Sequence, residues 1–215
     1  MQLTSAEDSL LPFPDRESAA ILLAEKIKNE IDKKTLLLAI PRGGVVTGKW
    51  LFKKLGLEMD LMLCKKVGHP FNPEYAIGSV CSDGSAVQTN HSSDSYSDYF
   101  KRESNKLAGW LQTRYQDLTK RQQPISVRGR EILLCDDGVA TGSTMMAAVR
   151  SLRNLGAKKI SIATPVISVS ALTELSKVSD GLYYLCAPHP FGAVGEFYVS
   201  FPTVTDDEVR QLLTT

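Results

Sequence analysis

The sequence predicts a doubly wound α/β fold, and three observations carry that prediction. Short apolar runs recur along the chain, within LLLAIPRGG, MDLMLCKK, EILLCDDGVATGST, KISIATP and GLYYLCAP. Several of them end in Gly-rich or acidic turns, and helical patterns stand between them. Apolar runs alternating with helices are the signature of βαβ units built round a mainly parallel sheet with helices on both faces. A length of 215 residues with 43% apolar content suits one large domain, or one domain with a lobe.

Taken in chain order, Ala19, Leu22, Leu23, Ile27 and Ile31 share one helical face near the N-terminus, which reads as a packing helix. LLLAIPRGG (36–44) reads as a strand, a loop and then a helix through about Gly56. MDLMLCKK (59–66) is a second strand. EYAIGSVCSDGSAVQTN (74–90) has apolar stretches round Asp83-Gly84 and predicts a hairpin. From about Ser93 to Arg121, Leu107, Leu111, Tyr115 and Leu118 recur at helical spacing, and the basic residues between them read as a solvated face. RQQPISVRGR links back to the core. EILLCDDGVATGST (131–144) is a third strand opening a helix over 143–155 that stops at Gly156. KISIATP (159–165), a helix over about 168–178 and GLYYLCAP (181–188) complete the pattern.

Composition excludes several function classes. A net charge of +1 argues against a nucleic-acid-coating protein. No run approaches the ~20 apolar residues that span a bilayer. MQLTSAEDSLLPFPDR lacks a basic-then-apolar leader, so a cytoplasmic protein without membrane partners is expected. Cys64, Cys81, Cys135 and Cys186 are widely spaced, and buried free thiols are the expectation. His69, His91 and His189 stand at no ligand spacing, so no structural metal is expected.

The segment Ile132 to Thr144 carries the chemistry. Its apolar strand delivers Asp136 and Asp137 to the C-terminal edge of the sheet, where open α/β folds bind ligands. Val139, Ala140, Thr141, Gly142, Ser143 and Thr144 then lead into a helix. A helix start offers unpaired N–H groups and the positive end of the macrodipole, so a phosphate is favoured there. The acids repel that phosphate and suit sugar hydroxyls or a water-bridged divalent cation. Phosphate at one end and a vicinal diol at the other describe a ribose 5-phosphate. The lysine of a GxxxxGK[ST] loop is missing after Gly142, and no GxSxG occurs.

ILLCDDGVATGST resembles the phosphoribosyl-pyrophosphate-binding signature of the type I phosphoribosyltransferases. Ala39-Ile40-Pro41-Arg42-Gly43-Gly44-Val45 falls where that family has its pyrophosphate loop, and Cys64-Lys65-Lys66-Val67-Gly68-His69-Pro70 resembles the start of its mobile loop. From Phe13 onward the chain is similar to a bacterial group in which FPDR, PRGGV, KxGxPxNPExAIGxV, DDGxATGxTM and PxPFxAVG recur in this order. The resemblance implies one domain over 1–215, with a hood from about 1–33 and 187–215 and a lid or insertion over about 67–121.

It further implies a Mg²⁺-dependent transfer of ribose 5-phosphate from phosphoribosyl pyrophosphate to a small nitrogenous, nucleobase-like acceptor, releasing pyrophosphate. A regulatory protein that binds the donor or a nucleotide without catalysis is the alternative. Implied catalytic residues are Asp136, Asp137, Arg42, Lys65 and Lys66. Arg42, Gly43, Gly44, Lys65 and Lys66 would bind pyrophosphate, and residues 139–144 the 5-phosphate. Asp136 and Asp137 would meet the metal indirectly, through ribose hydroxyls, pyrophosphate or water. Gly138, Phe191, Ala193 and Val194 would bind the acceptor. Ala140 stands where members acting on 6-oxopurines usually carry an aspartate. Gly138 replaces a bulkier apolar residue and implies a roomier or differently walled pocket. Many members pair as dimers, so a homodimer is compatible with the resemblance.

Overall fold

The structure, a computed structural model, describes residues 11–88 and 96–214. Five parallel strands form the main sheet: β1 (Leu36–Ala39), β2 (Glu58–Leu61), β6 (Glu131–Cys135), β7 (Lys159–Val166) and β8 (Gly181–Cys186), in the order β2-β1-β6-β7-β8. The helices are α1 (Arg16–Ile27), α2 (Gly43–Leu55), α3 (Ser97–Thr119), α4 (Ser143–Asn154), α5 (Val169–Leu175) and α6 (Asp206–Thr214). The doubly wound, mainly parallel α/β class is therefore the observed one.

Strand alternation shows why both faces are covered. Leu37, Ala39, Leu133 and Cys135 belong to one buried cluster with α1 and α2 residues such as Leu23, Ile27, Val45 and Leu51. Leu36, Leu38, Ile132 and Leu134 belong to the other, with Met145, Val149 and Leu152 of α4 and Leu175 of α5. Successive strand side chains point to opposite faces, so an unbroken apolar run such as LLLA has to be covered by helices on both sides.

A second, three-stranded antiparallel sheet consists of β3 (Cys64–His69), β4 (Asn72–Cys81) and β5 (Ala86–Gln88), in the order β3-β4-β5. The single strand expected over 59–66 is thus two strands. β2 ends at Leu61, and the chain leaves the main sheet before β3 starts at Cys64. The expected hairpin is present, with β3 as its third strand. The described part of the long helix starts at Ser97; the expected start near Ser93, the hairpin end at residues 89–90, His91 and hood residues 1–10 lie outside the described residues. α6 has no counterpart in the sequence expectation.

The cysteine expectation needs correction. Cys64 and Cys81 form a disulfide, because the β3–β4 register places them directly opposite each other. Cys135 and Cys186 are buried free thiols, as expected.

The N-terminal segment and the C-terminal stretch form one unit. Phe13 N–H donates to the Phe197 carbonyl at 2.9 Å, and Val199 N–H returns a bond to the Phe13 carbonyl at 2.8 Å. Asp15 caps α1 by accepting from Ser18 N–H at 2.7 Å. Among the described residues, no helix is long and apolar enough to cross a membrane.

α3 is tied to the edge of the main sheet by a buried carboxylate. Asp60 of β2 is 1% exposed and accepts from Tyr115 Oη at 2.8 Å and from Ile125 N–H at 2.8 Å; Arg121 lies 3.3 Å away. Burial and the Asp60 charge both push the Tyr115 phenol up, so it remains a donor. Two basic positions of the expected solvated face are therefore engaged, since Arg114 also forks onto Asp206 at 2.7 and 2.9 Å. Tyr115→Phe removes one donor from a buried charged acceptor and is expected to cost about 1.5–3 kcal/mol of stability, checked by urea denaturation.

Candidate functional site

Parallel register builds the site. Ala39 pairs with Cys135, so β1 and β6 end side by side and their following loops meet. Ile40 N–H donates to the Cys135 carbonyl at 2.9 Å, and the Pro41–Arg42 peptide beyond it is cis. α2 starts at once, with Arg42 as its N-cap and Gly43 and Gly44 as its first two residues. A Cβ on Gly43 would stand 1.8 Å from Asp137 Oδ2, and one on Gly44 would stand 2.9 Å from the Asp136 Cα and Oδ1. The PRGG loop is thus laid directly on the two acids, and only glycine permits that approach.

The acids differ in their partners. Asp137 is buried, and its Oδ2 accepts from Arg16 Nε at 2.6 Å. Its backbone carbonyl accepts from Tyr198 Oη at 2.5 Å. Arg16 also donates to the Pro202 carbonyl at 2.8 Å, and its guanidinium lies 3.5 Å from the Phe201 ring centroid. Asp136 is less covered, and its Oδ1 accepts the Asp137 N–H at 2.8 Å. Burial first and the Asp137 charge second raise the Asp136 carboxyl well above the usual carboxylate range. Burial, then the Asp137 charge, likewise keeps the Tyr198 phenol protonated.

Arg16 is the residue that sequence reasoning missed. The N-terminal helix was expected to serve packing alone. Its first residue instead reaches 121 positions along the chain to an acid of the signature segment. FPDR was the available signal: Phe13 is core, Asp15 is the cap and Arg16 is the partner of Asp137.

The expected phosphate segment lies beside the acids at the head of α4. Gly142 has φ +72° and precedes α4, and Met146 N–H donates to its carbonyl at 2.8 Å. Thr141, Ser143 and Thr144 are exposed, with the Thr141 and Ser143 hydroxyls 3.1 Å apart. Ser168 Oγ donates to the Ala140 carbonyl at 2.5 Å, and Val139 bridges to Ile167, so the loop is held from beneath by the β7–α5 connection.

Lys65 and Lys66 stand on β3. They line a groove of about 560 Å³ together with Ser143, Thr144 and Arg150, between the small sheet and α4. Lys65 Nζ lies 4.3 Å from the Trp110 ring centroid, a cation–π contact. Arg42 is half exposed and 3.9 Å from Asp206. The structure therefore groups both lysines with the α4 hydroxyls, while Gly43 and Gly44 lie against the acids and the Arg42 side chain reaches toward Asp206.

On the remaining side, Phe191 packs against Phe197 with centroids 4.6 Å apart, after the cis His189–Pro190 bond. Ala193 is exposed. A Cβ at Gly138 would stand 2.2 Å from Val194 Cγ1. Val194 fills the space that a side chain at Gly138 would take, so this side is walled by the Val194 side chain. Among the described residues, no group of three or more His, Cys, Asp or Glu could hold a metal ion.

Residues 7–183 match the phosphoribosyl transferase domain. The chain belongs to that family. Over 207 residues, 94% of its length, it is 32% identical to a Mycobacterium tuberculosis protein named "Putative phosphoribosyl transferase Rv0571c". The chain spans 46% of that curated relative. A crystal structure of the Thermus thermophilus protein TT1426 superposes with a TM-score of 0.86 at 35% identity, covering 94% of this chain and 98% of that one. A 60-residue stretch, 27% of the chain and 22% of the relative, is 42% identical to a ribose-phosphate pyrophosphokinase of Pyrococcus furiosus.

In this phosphoribosyl transferase domain, the Gly138–Val194 contact makes a direct prediction. Gly138→Ala overpacks the loop and is expected to lose about 1–3 kcal/mol, much of it restored by Val194→Ala in the same chain. Thermal melting of the two single variants and the double variant checks that non-additivity.

Proposed function

We propose that the chain is a phosphoribosyltransferase that moves ribose 5-phosphate from phosphoribosyl pyrophosphate to a small nitrogenous acceptor and releases pyrophosphate. The observation that carries this reading is the placement of the exposed hydroxyls of Thr141, Ser143 and Thr144 at the head of α4, beside the less covered acid of the Asp136–Asp137 pair. A 5-phosphate at residues 139–144 would meet a helix N-terminus and three hydroxyls. The sugar hydroxyls would then face Asp136 at the end of β6.

The pyrophosphate would meet the start of α2 and the Arg42 side chain, with Lys65 and Lys66 supplying positive charge across the groove. An acceptor would enter between the 138 turn and the Phe191–Val194 segment. The protein's work is then to orient both ends of the donor, stabilise the departing charge and exclude water from the sugar carbon as positive charge develops on it. Residues over 67–121 would form the lid, and the paired 13–33 and 187–214 segments the hood.

The chemistry of the donor set fits Mg²⁺ carried on the donor. Two adjacent carboxylates, one already bound to Arg16, are too few to hold a cation alone. Mg²⁺ is usually held by one or two carboxylates together with substrate phosphates. Asp136 would be its protein contact, through water or the ribose hydroxyls. Bound there, the cation would neutralise charge on the leaving pyrophosphate.

The test is a release assay with phosphoribosyl pyrophosphate, Mg²⁺ and a panel of nucleobases and smaller nitrogen nucleophiles, reading pyrophosphate. Acceptor-dependent release is expected, and replacing both Thr141 and Thr144 by Ala should weaken donor binding by about tenfold or more through lost hydroxyl contacts. Saturable donor binding without turnover on any acceptor would favour the regulatory alternative. Absence of donor binding would overturn both.

A further inference from the structure

We propose that Arg16 is a positioning residue that divides the acid pair: it holds Asp137 as a fixed, charge-paired strut and leaves Asp136 as the acid that meets the ligand. The inference rests on the phosphoribosyl reading of the site and deepens it, because it assigns unequal roles to two residues otherwise expected to act alike.

The partners of Asp137 carry the argument. Its Oδ2 is taken by Arg16 Nε at 2.6 Å, and its main-chain carbonyl by Tyr198 Oη at 2.5 Å. A Cβ on Gly43 would collide with the same carboxylate, so the start of α2 closes it from another side. Both partners of the ion pair are buried. A buried pair of this kind is costly to break, because loss of one member leaves an uncompensated charge.

Arg16 is in turn locked. Its guanidinium donates to the Pro202 carbonyl at 2.8 Å and lies 3.5 Å from the Phe201 ring centroid. Tyr198 stacks on Phe201 with centroids 5.0 Å apart. These groups all come from the 197–202 stretch, which pairs with the chain at Phe13 and Pro14.

Asp136 is held by its neighbour rather than by an ion pair. Its Oδ1 accepts the Asp137 N–H at 2.8 Å and packs against Gly44, while the residue as a whole is more exposed than Asp137. With Asp137 tethered toward the hood, Asp136 is the acid left to turn to a sugar hydroxyl. The hood thus reaches the Asp137 carboxylate through one guanidinium, beside the Tyr198 bond to its carbonyl. An acceptor or product that shifts the 197–202 stretch would act on donor binding through the same residue.

The experiment measures Mg²⁺-dependent binding of phosphoribosyl pyrophosphate by calorimetry, with kcat and the separate KM values for donor and acceptor, on the full chain. The variants are Arg16→Met, Arg16→Lys, Asp137→Asn, Asp136→Asn and the two doubles that combine Arg16→Met with each acid change. Arg16→Met and Asp137→Asn are each expected to weaken donor binding about tenfold, and their double no further, because they remove one unit. Asp136→Asn is expected to weaken binding more, and its loss to add to that of Arg16→Met.

Donor KM should rise in Arg16→Met while acceptor KM holds, a split that loss of general packing would not produce. Arg16→Lys, which keeps the charge, should recover part of the donor affinity and covers the case in which Arg16→Met fails to fold. Additive losses at Arg16 and Asp137, or donor affinity unchanged in both Arg16 variants, would overturn the assignment while the phosphoribosyl reading stands. Wild-type protein that takes up no donor would overturn that reading, and the assignment with it.

Discussion

Two neighbouring carboxylates at the end of one strand repel each other, and the architecture round the site is arranged to contain that repulsion. Asp136 and Asp137 follow β6 directly, so the fold cannot separate them along the chain. It separates them by partner instead. Asp137 is drawn to Arg16 on the hood side, and Asp136 is braced by the Asp137 amide. The two glycines of the PRGG loop then close over both acids at a distance no side chain allows. Without the pairing to Arg16, that close packing would press backbone onto an uncompensated charge, which is among the most expensive arrangements in a protein interior.

Much of this was legible in the sequence because parallel sheets leave a plain trace. A strand buried on both faces is largely apolar, and the short runs in LLLAIPRGG, EILLCDDGVATGST and KISIATP, bounded by turns and separated by helical patterns, carry that trace. The signature segment was equally plain, since an acidic pair followed by Gly-Val-Ala-Thr-Gly-Ser-Thr at the end of an apolar run reads as a loop that opens a helix. What escaped was pairing across the chain. Nothing in the local pattern of Arg16 says that its partner lies 121 residues away, or that Tyr198 will reach the Asp137 carbonyl. The disulfide escaped for the same reason: Cys64 and Cys81 face each other only once the β3–β4 register is known.

Gly138 left two alternatives open, a roomier pocket or a differently walled one, because a sequence reports the side chain that is absent and not the neighbour that takes its place. In the fold, the 3₁₀ turn Val194–Phe197 brings a branched side chain into that space. The wall of the pocket is therefore supplied by a segment more than fifty residues downstream.

That displacement bears on how selectivity is distributed. The groups suited to phosphate and sugar sit on β6, α4 and the head of α2, all anchored in the main sheet and braced by the Ser168–Ala140 contact. The residues proposed for the acceptor, Phe191, Ala193 and Val194, lie in the proposed hood, which meets the sheet edge through the Arg16–Asp137 pair and the Gly138–Val194 contact. Under the proposed function, a donor floor on the main sheet and an acceptor wall built from another segment would let the wall change without disturbing the floor. The two are not independent, however, because Arg16 belongs to the hood and Asp137 to the floor. Any change of acceptor wall that moves the 197–202 stretch also moves the charge that balances Asp137, so the ion pair limits how far the hood can be remodelled before the floor fails with it.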